Sequence, residues 1–168
     1  MPESVDDGGR ASEDLWLARA IELGMENAAA GGRPFGAVVV LDGEIVGEGV
    51  NRYVADNDPT AHAELVALRA AAQARANADL GGATLAASTE PCPMCQAAAL
   101  LAGVARIVFA TSEAEAAARG YDARELLADL GRPFPERRMM SVTRLEVDGA
   151  RLPYDVAAGL ADPQGETG

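Results

Sequence analysis

No lysine occurs anywhere in the 168 residues: all 14 basic side chains are arginine, set against 26 acidic ones for a formal net charge of −12. Nucleic-acid binders draw most of their affinity from cations that neutralise phosphates, so this balance disfavours a polyanion and favours a small, diffusible substrate. Aromatic residues make up only 4% of the chain, too few for the stacking platforms of single-strand binders. No apolar run approaches the ~18 residues of a membrane span, and no membrane segment is expected. The start of the chain has neither the basic nor the apolar stretch of a secretory leader. With two cysteines only, the expected compartment is the cytoplasm, where thiols stay reduced, and a structural disulfide is not expected. Histidine is scarcer still, since His62 stands alone.

What is present suits one compact domain with a sizeable core. Residues 12–160 are expected to form it, with a disordered N-terminus over 1–11 and a flexible tail over 161–168, both acidic and rich in small or polar residues. Leu15, Ala18, Ile21 and Met25 recur at helical spacing behind Ser12, a suitable N-cap, and Gly31-Gly32 ends that helix. The run FGAVVVL, the turn pair Asp42-Gly43 and EIVGEGV read as a hairpin. A polar loop then leads to a helix beginning near Thr60, with Asp58 or Thr60 as its cap. ATLAAST is a third strand, PCPMCQAAALLAG a turn entering a helix that stops at Gly103, and RIVFAT a fourth strand. Two short alanine-rich helices, around 113–119 and 123–130, precede a proline-broken linker. A fifth strand, SVTRLEV, and a short helix around 154–158 complete the pattern. Strands alternating with helices in this way predict a sheet covered by helices, with some parallel pairing.

The chemistry concentrates in the rarest residues. His62 opens one predicted helix, and Cys92 and Cys95 open another, three positions apart and so on one side of it. Helix N-termini favour thiolate over thiol, and with it metal binding. One His and two Cys supply three ligands of a tetrahedral zinc site, one short of four, which is the mark of a catalytic zinc that keeps a position for water. Glu64, two residues after His62, is turned away from the imidazole and is not expected as a co-ligand, but it can move protons beside that water. Taken singly, a lone histidine, a C-x-x-C pair or a helical glutamate each has a bland structural explanation. Together, H-x-E at 62–64 and P-C-x-x-C at 91–95 match the zinc deaminase signature.

At these residues the sequence resembles the cytidine deaminase-like superfamily, and within it the bacterial guanine deaminases and their nucleobase-deaminase relatives. Three blocks carry the likeness: PFGAVVVLDGEIVGEGVNRYVADNDPTAHAE, STEPCPMC and RIVFATSEAEAAARGYD. The first two are shared with tRNA adenosine deaminases, and the third points to the guanine type. The resemblance implies a three-layer α/β/α fold on a mixed five-stranded sheet, with one Zn2+ per chain held by His62, Cys92 and Cys95 and Glu64 as proton shuttle. It implies also that Phe35 packs on the bound ring, that Asn51 hydrogen-bonds a ring carbonyl, and that the Ala63 and Cys92 backbones help hold the base and the attacking water. Homodimers are implied, with exchanged C-terminal segments in guanine-type members, and Tyr154 is the candidate lid. Guanine-type members usually carry two consecutive acids after the aromatic, whereas here Asp122 is followed by Ala123.

Hydrolytic deamination of a free base is therefore expected, with guanine the first substrate and cytosine or an aminated s-triazine the alternatives. The acidic balance weighs against a tRNA adenosine deaminase. A non-catalytic zinc-stabilised module would need a fourth protein ligand, and a redox role for Cys92 and Cys95 would need both sulfurs free.

Overall fold

A computed structural model of the protein describes residues 7–160. Among them two compact units are distinguished, one reaching to Leu127 and a second from Ala128 onward, where the sequence pattern predicts one domain over 12–160.

The first unit is built around a hairpin. β1 (Gly36–Leu41) turns at Asp42 and Gly43, both at positive φ, into the antiparallel β2 (Glu44–Val50). Two successive left-handed residues give a turn whose twist matches that of the strands it joins, which is why the Asp-Gly pair marks a hairpin in the sequence. β3 (Thr84–Thr89) runs antiparallel to β1, and β4 (Arg106–Thr111) runs parallel to β3. The spatial order is β2-β1-β3-β4.

Side-chain alternation on the strands sorts the helices into two layers. Val38, Val40 and Ala86 face α1 (Asp7–Ala29) and pack with Leu23, Trp16 and Leu17. Ala37, Val39, Leu85 and Ala87 face the other way and share a core with α2 (Ala63–Arg75) and α3 (Pro93–Leu101). The expected three-layer α/β/α arrangement is therefore present.

Several expectations need correction. The sheet has four strands among the described residues, not five. The predicted fifth strand, SVTRLEV, is without ladder partners, and its apolar residues Val142, Leu145 and Val147 are 42%, 75% and 66% exposed. Apolar residues at a strand-like spacing make a strand only where a sheet edge receives them. α1 begins at Asp7, so residues 7–11, expected to be disordered, are helical and Ser12 lies inside the helix. Its inward face is Trp16, Leu17, Ala20 and Leu23, whereas the stripe Leu15, Ile21 and Met25 faces outward. Both stripes have helical spacing. The face that carries Ala20 and Gly24 turns inward, where β1 comes close: a Cβ on Gly36 would collide with the Ala20 carbonyl and the Gly24 N–H.

The same close approach sets α2 on β2. A Cβ on Gly49 would collide with the Ala63 carbonyl, and one on Gly47 would lie 2.5 Å from the Ala67 carbonyl. Two glycines two apart in β2 thus let the first turns of α2 rest on the strand backbone.

Beyond β4, α4 (Glu113–Ala117) starts from a capping box between Ser112 and Glu115, and α5 (Arg124–Leu130) follows. Within the second unit the Asp129 carboxylate accepts the backbone N–H groups of Arg138, at 2.8 Å, and Met139, at 3.1 Å. α6 (Leu152–Ala157) lies near the end of the described chain. No helix among the described residues is long and apolar enough to cross a membrane.

Candidate metal centre and base pocket

Two helix starts converge on one point. His62 is the N-cap of α2 and Cys92 the N-cap of α3, both in extended backbone conformation, and neither side chain caps its helix. The sequence pattern predicts Asp58 or Thr60 as the cap of α2. Instead the Asp58 carboxylate accepts from the Thr60 N–H at 2.8 Å and hydroxyl at 2.7 Å, a local turn that brings the chain to His62. Pro93 at the first position of α3 costs no hydrogen bond, because that N–H has no helical acceptor.

His62 Nδ1 lies 3.6 Å from Cys92 Sγ and 3.6 Å from Cys95 Sγ, and the two sulfurs are 3.6 Å apart. Zinc bonds of ~2.0–2.1 Å to nitrogen and ~2.3 Å to sulfur, at tetrahedral angles, require donor separations of ~3.5–3.8 Å. The triangle is one face of such a tetrahedron. No fourth His, Cys, Asp or Glu completes it among the described residues. A half-buried His and two sulfurs, one of them fully buried, suit zinc in their chemistry as well as their spacing.

Charge in the cluster fits a cation. Hydrogen bonding between the two sulfurs pulls Cys92 down to about 4, well into the thiolate range. That same bond, with burial and the nearby Glu64 carboxylate, pushes Cys95 far up. Hydrogen bonding to Cys92 raises the His62 imidazole, against the opposing effect of burial.

Glu64 is buried on the first turn of α2, with Oε2 3.5 Å from Cys95 Sγ. Burial pushes its carboxyl upward. Glu64, His62 and Cys92 line a cavity of about 460 Å3, within the range of small-molecule sites.

Of the other residues singled out in the sequence, Phe35, Asn51 and Asp122 line this cavity. The Phe35 ring meets Tyr121 edge to face, with centroids 5.0 Å apart. Buried Asn51 accepts the Tyr53 N–H on Oδ1 at 3.1 Å, which leaves Nδ2 as its donor. Asp122 is held by Arg124 through both guanidinium and backbone N–H groups, which keep its carboxyl well below the usual range. Ala63 is buried at the start of α2. Tyr154 lies on α6 in the second unit, 75% exposed.

Among the cavity residues that sequence reasoning passed over are Arg33, Glu90, Glu113 and Tyr121. Tyr121 had a signal, as the aromatic before Asp122. Glu113 had none, because an acid in the first turn of an alanine-rich helix is an ordinary surface residue.

A three-ligand zinc face, an adjacent buried glutamate and two helix N-termini on an α/β/α sheet define the class of zinc-dependent hydrolytic deaminases. Residues 11–111 match the family model for the cytidine and deoxycytidylate deaminase zinc-binding region, and the chain belongs to that family. It is 39% identical over 127 residues to a guanine deaminase of Bacillus subtilis, covering 75% of this chain and 81% of the relative. The X-ray structure of the guanine deaminase from that organism superposes with a TM-score of 0.82 at 35% identity, over 89% of this chain and 95% of the other. A guanine deaminase structure from Nitrosomonas europaea gives 0.61 at 33% identity, over 65% and 64% of the two chains. A tRNA-specific adenosine deaminase of Haemophilus influenzae is 43% identical over 109 residues, 64% of this chain and 63% of the relative.

Proposed function

We propose that the chain removes the amino group of a free nucleobase by hydrolysis, with guanine the first candidate: guanine and water give xanthine and ammonia. The observation that carries this reading is the buried Glu64 carboxylate beside a three-donor metal face in the wall of a cavity large enough to admit a base. Likeness to guanine deaminases over most of their length supports guanine, whereas the tRNA deaminase likeness covers a shorter share of both chains. The net charge of −12 also weighs against a tRNA substrate.

Zinc, when bound by His62, Cys92 and Cys95, supplies Lewis acidity that makes a water easier to deprotonate. Glu64 takes a proton from the attacking water. Its burial-raised basicity lets it retain that proton and deliver it to the ring nitrogen, then assist departure of the amine as ammonia. Phe35, braced by Tyr121, packs on the face of the ring. Asn51 donates from Nδ2 to a ring carbonyl, and the Ala63 and Cys92 backbones hold the base and the attacking water. Asp122 reads the N–H edge once it is released from Arg124.

The functional protein is proposed to be a cytoplasmic homodimer with exchanged C-terminal segments and Tyr154 as lid. Support comes from apolar side chains left uncovered: Leu100 at 76% and Leu101 at 90% on α3, and Leu145, Val147 and Tyr154 in the second unit. Cytosine and aminated s-triazines are the alternatives within the same chemistry. Zinc-loaded protein incubated with each base, with ammonia and the deaminated product quantified, tests the proposal, and turnover of none of them overturns it.

A further inference from the structure

Asn51 is tied into the cavity wall through its backbone and through one end of its side chain. Its N–H donates to the Phe35 carbonyl at 3.0 Å, and its Oδ1 accepts the Tyr53 N–H at 3.1 Å. Its carbonyl accepts Asn27 Nδ2 at 2.9 Å, and the same Nδ2 donates to the Arg33 carbonyl at 2.7 Å. That Arg33 carbonyl also accepts the Phe35 N–H at 2.8 Å. One side-chain amide at the end of α1 therefore joins the two chain segments that carry the cavity residues Arg33, Phe35 and Asn51.

The join is specific to an amide. An Asn NH2 group has two N–H donors, and the two carbonyls take one each. The chain makes room for it as well: the Gly32 N–H donates to the Asn27 carbonyl at 2.8 Å, and a Cβ on Gly32 would lie 2.6 Å from Asn27 Nδ2. Asn27 is not among the residues that line the cavity, so its influence on a bound base passes through those it holds. Hydrogen bonds weaken steeply with distance and angle, so a small shift of the Asn51 backbone would spoil what its Nδ2 offers the cavity.

We propose that Asn27 is a positioning residue, whose amide fixes where Asn51 Nδ2 and the Phe35 ring meet the bound base. The inference rests on the nucleobase-deaminase reading and deepens it, by placing recognition of the ring carbonyl under the control of α1. Without Asn27 the Arg33 and Asn51 carbonyls each lose a partly buried donor, and the two segments are free to part. The loss falls on substrate binding and on preference for an oxygen acceptor, because Asn51 is the group displaced.

Steady-state kinetics of the zinc-loaded full chain test it, with guanine and 6-thioguanine, which carries sulfur, a weaker acceptor, in place of the carbonyl oxygen. Asn27→Ala is expected to raise KM for guanine by roughly 3- to 30-fold, with the smaller effect on kcat. Preference for guanine over 6-thioguanine in kcat/KM should fall by roughly 3- to 10-fold in the same variant. In an Asn51→Ala background, where the reading amide is gone, Asn27→Ala should change that preference by less than about 2-fold. Asn27→Ser, which keeps one donor, should fall between Asn27→Ala and the wild type. Melting curves and zinc content establish that each variant is folded, and should Asn27→Ala not fold, Asn27→Ser carries the test. A merely structural role would lower the melting temperature and leave KM and preference as they are, and that result would overturn this inference alone. So would an equal loss of preference with and without Asn51, or an active wild type that does not distinguish the two bases. A wild type inert toward every base would overturn the nucleobase reading and this inference with it.

Discussion

His62 and Cys92 occupy N-cap positions where most proteins place Ser, Thr, Asp or Asn, and neither bonds to its own helix. Their side chains are released from capping and point at a shared centre, so removing one should cost metal before it costs secondary structure. For Cys95→Ser we expect loss of stoichiometric zinc by elemental analysis and a lower melting temperature for the holoprotein. Glu64→Ala should behave in the opposite way. Glu64 is not among the three metal donors, so zinc content should persist while kcat falls by roughly 100- to 10,000-fold, the range for a lost general acid–base group. A variant that lost metal as well would assign Glu64 to coordination. At this scale the metal donors were legible, because the chain has one histidine and two cysteines to offer, whereas cavity residues such as Arg33 and Glu113 were not.

The secondary-structure elements explain why those side chains meet. Gly47 and Gly49 let α2 rest against β2, so Gly49→Ala should push the first turn of α2 outward and carry His62 and Glu64 with it. The expected result is a loss of about 1–3 kcal/mol, typical of overpacking, in chemical denaturation. Zinc affinity in a competition titration should weaken with it. The second unit depends on a different device, the Asp129 carboxylate accepting two backbone N–H groups. These donors hold its carboxyl below the ordinary value, so its stabilisation is complete above the unfolded pKa of ~3.9 and is lost as pH falls through the lower folded value. Unfolding of wild type and Asp129→Ala followed against pH should show a gap at neutrality that closes in acid, and a gap that widened in acid would refute the assignment. The hairpin and its neighbouring strands were readable here because turn chemistry and alternation are local, whereas the starts of α1 and α2 fall at Asp7 and Ala63 instead of near Glu13 and Thr60. The inward face of α1 and the absent fifth strand were not, since each depends on which surface a distant segment presents.

For the whole molecule, the uncovered apolar residues and the acidic balance act together. Leu100 and Leu101 on α3 are exposed and would be covered in the proposed homodimer, while the net charge of −12 disfavours unrelated polyanions. Light scattering is expected to give twice the mass of the chain, and Leu101→Glu to shift it toward the monomer. tRNA should fail to bind even at low salt, where electrostatic association is strongest.

Residue types and spacing alone were enough to single out the three metal donors, the glutamate beside them and the alternation of strands and helices, because metal chemistry admits few donors and backbone periodicity is a short-range property. Folding added what no local pattern contains. It brought Glu113 from α4 into the cavity wall, tied Asp122 to Arg124, and turned the Trp16, Ala20 and Leu23 face of α1 toward the sheet. Those outcomes depend on contacts between segments far apart in the chain, whose energies are set only when the layers close on one another.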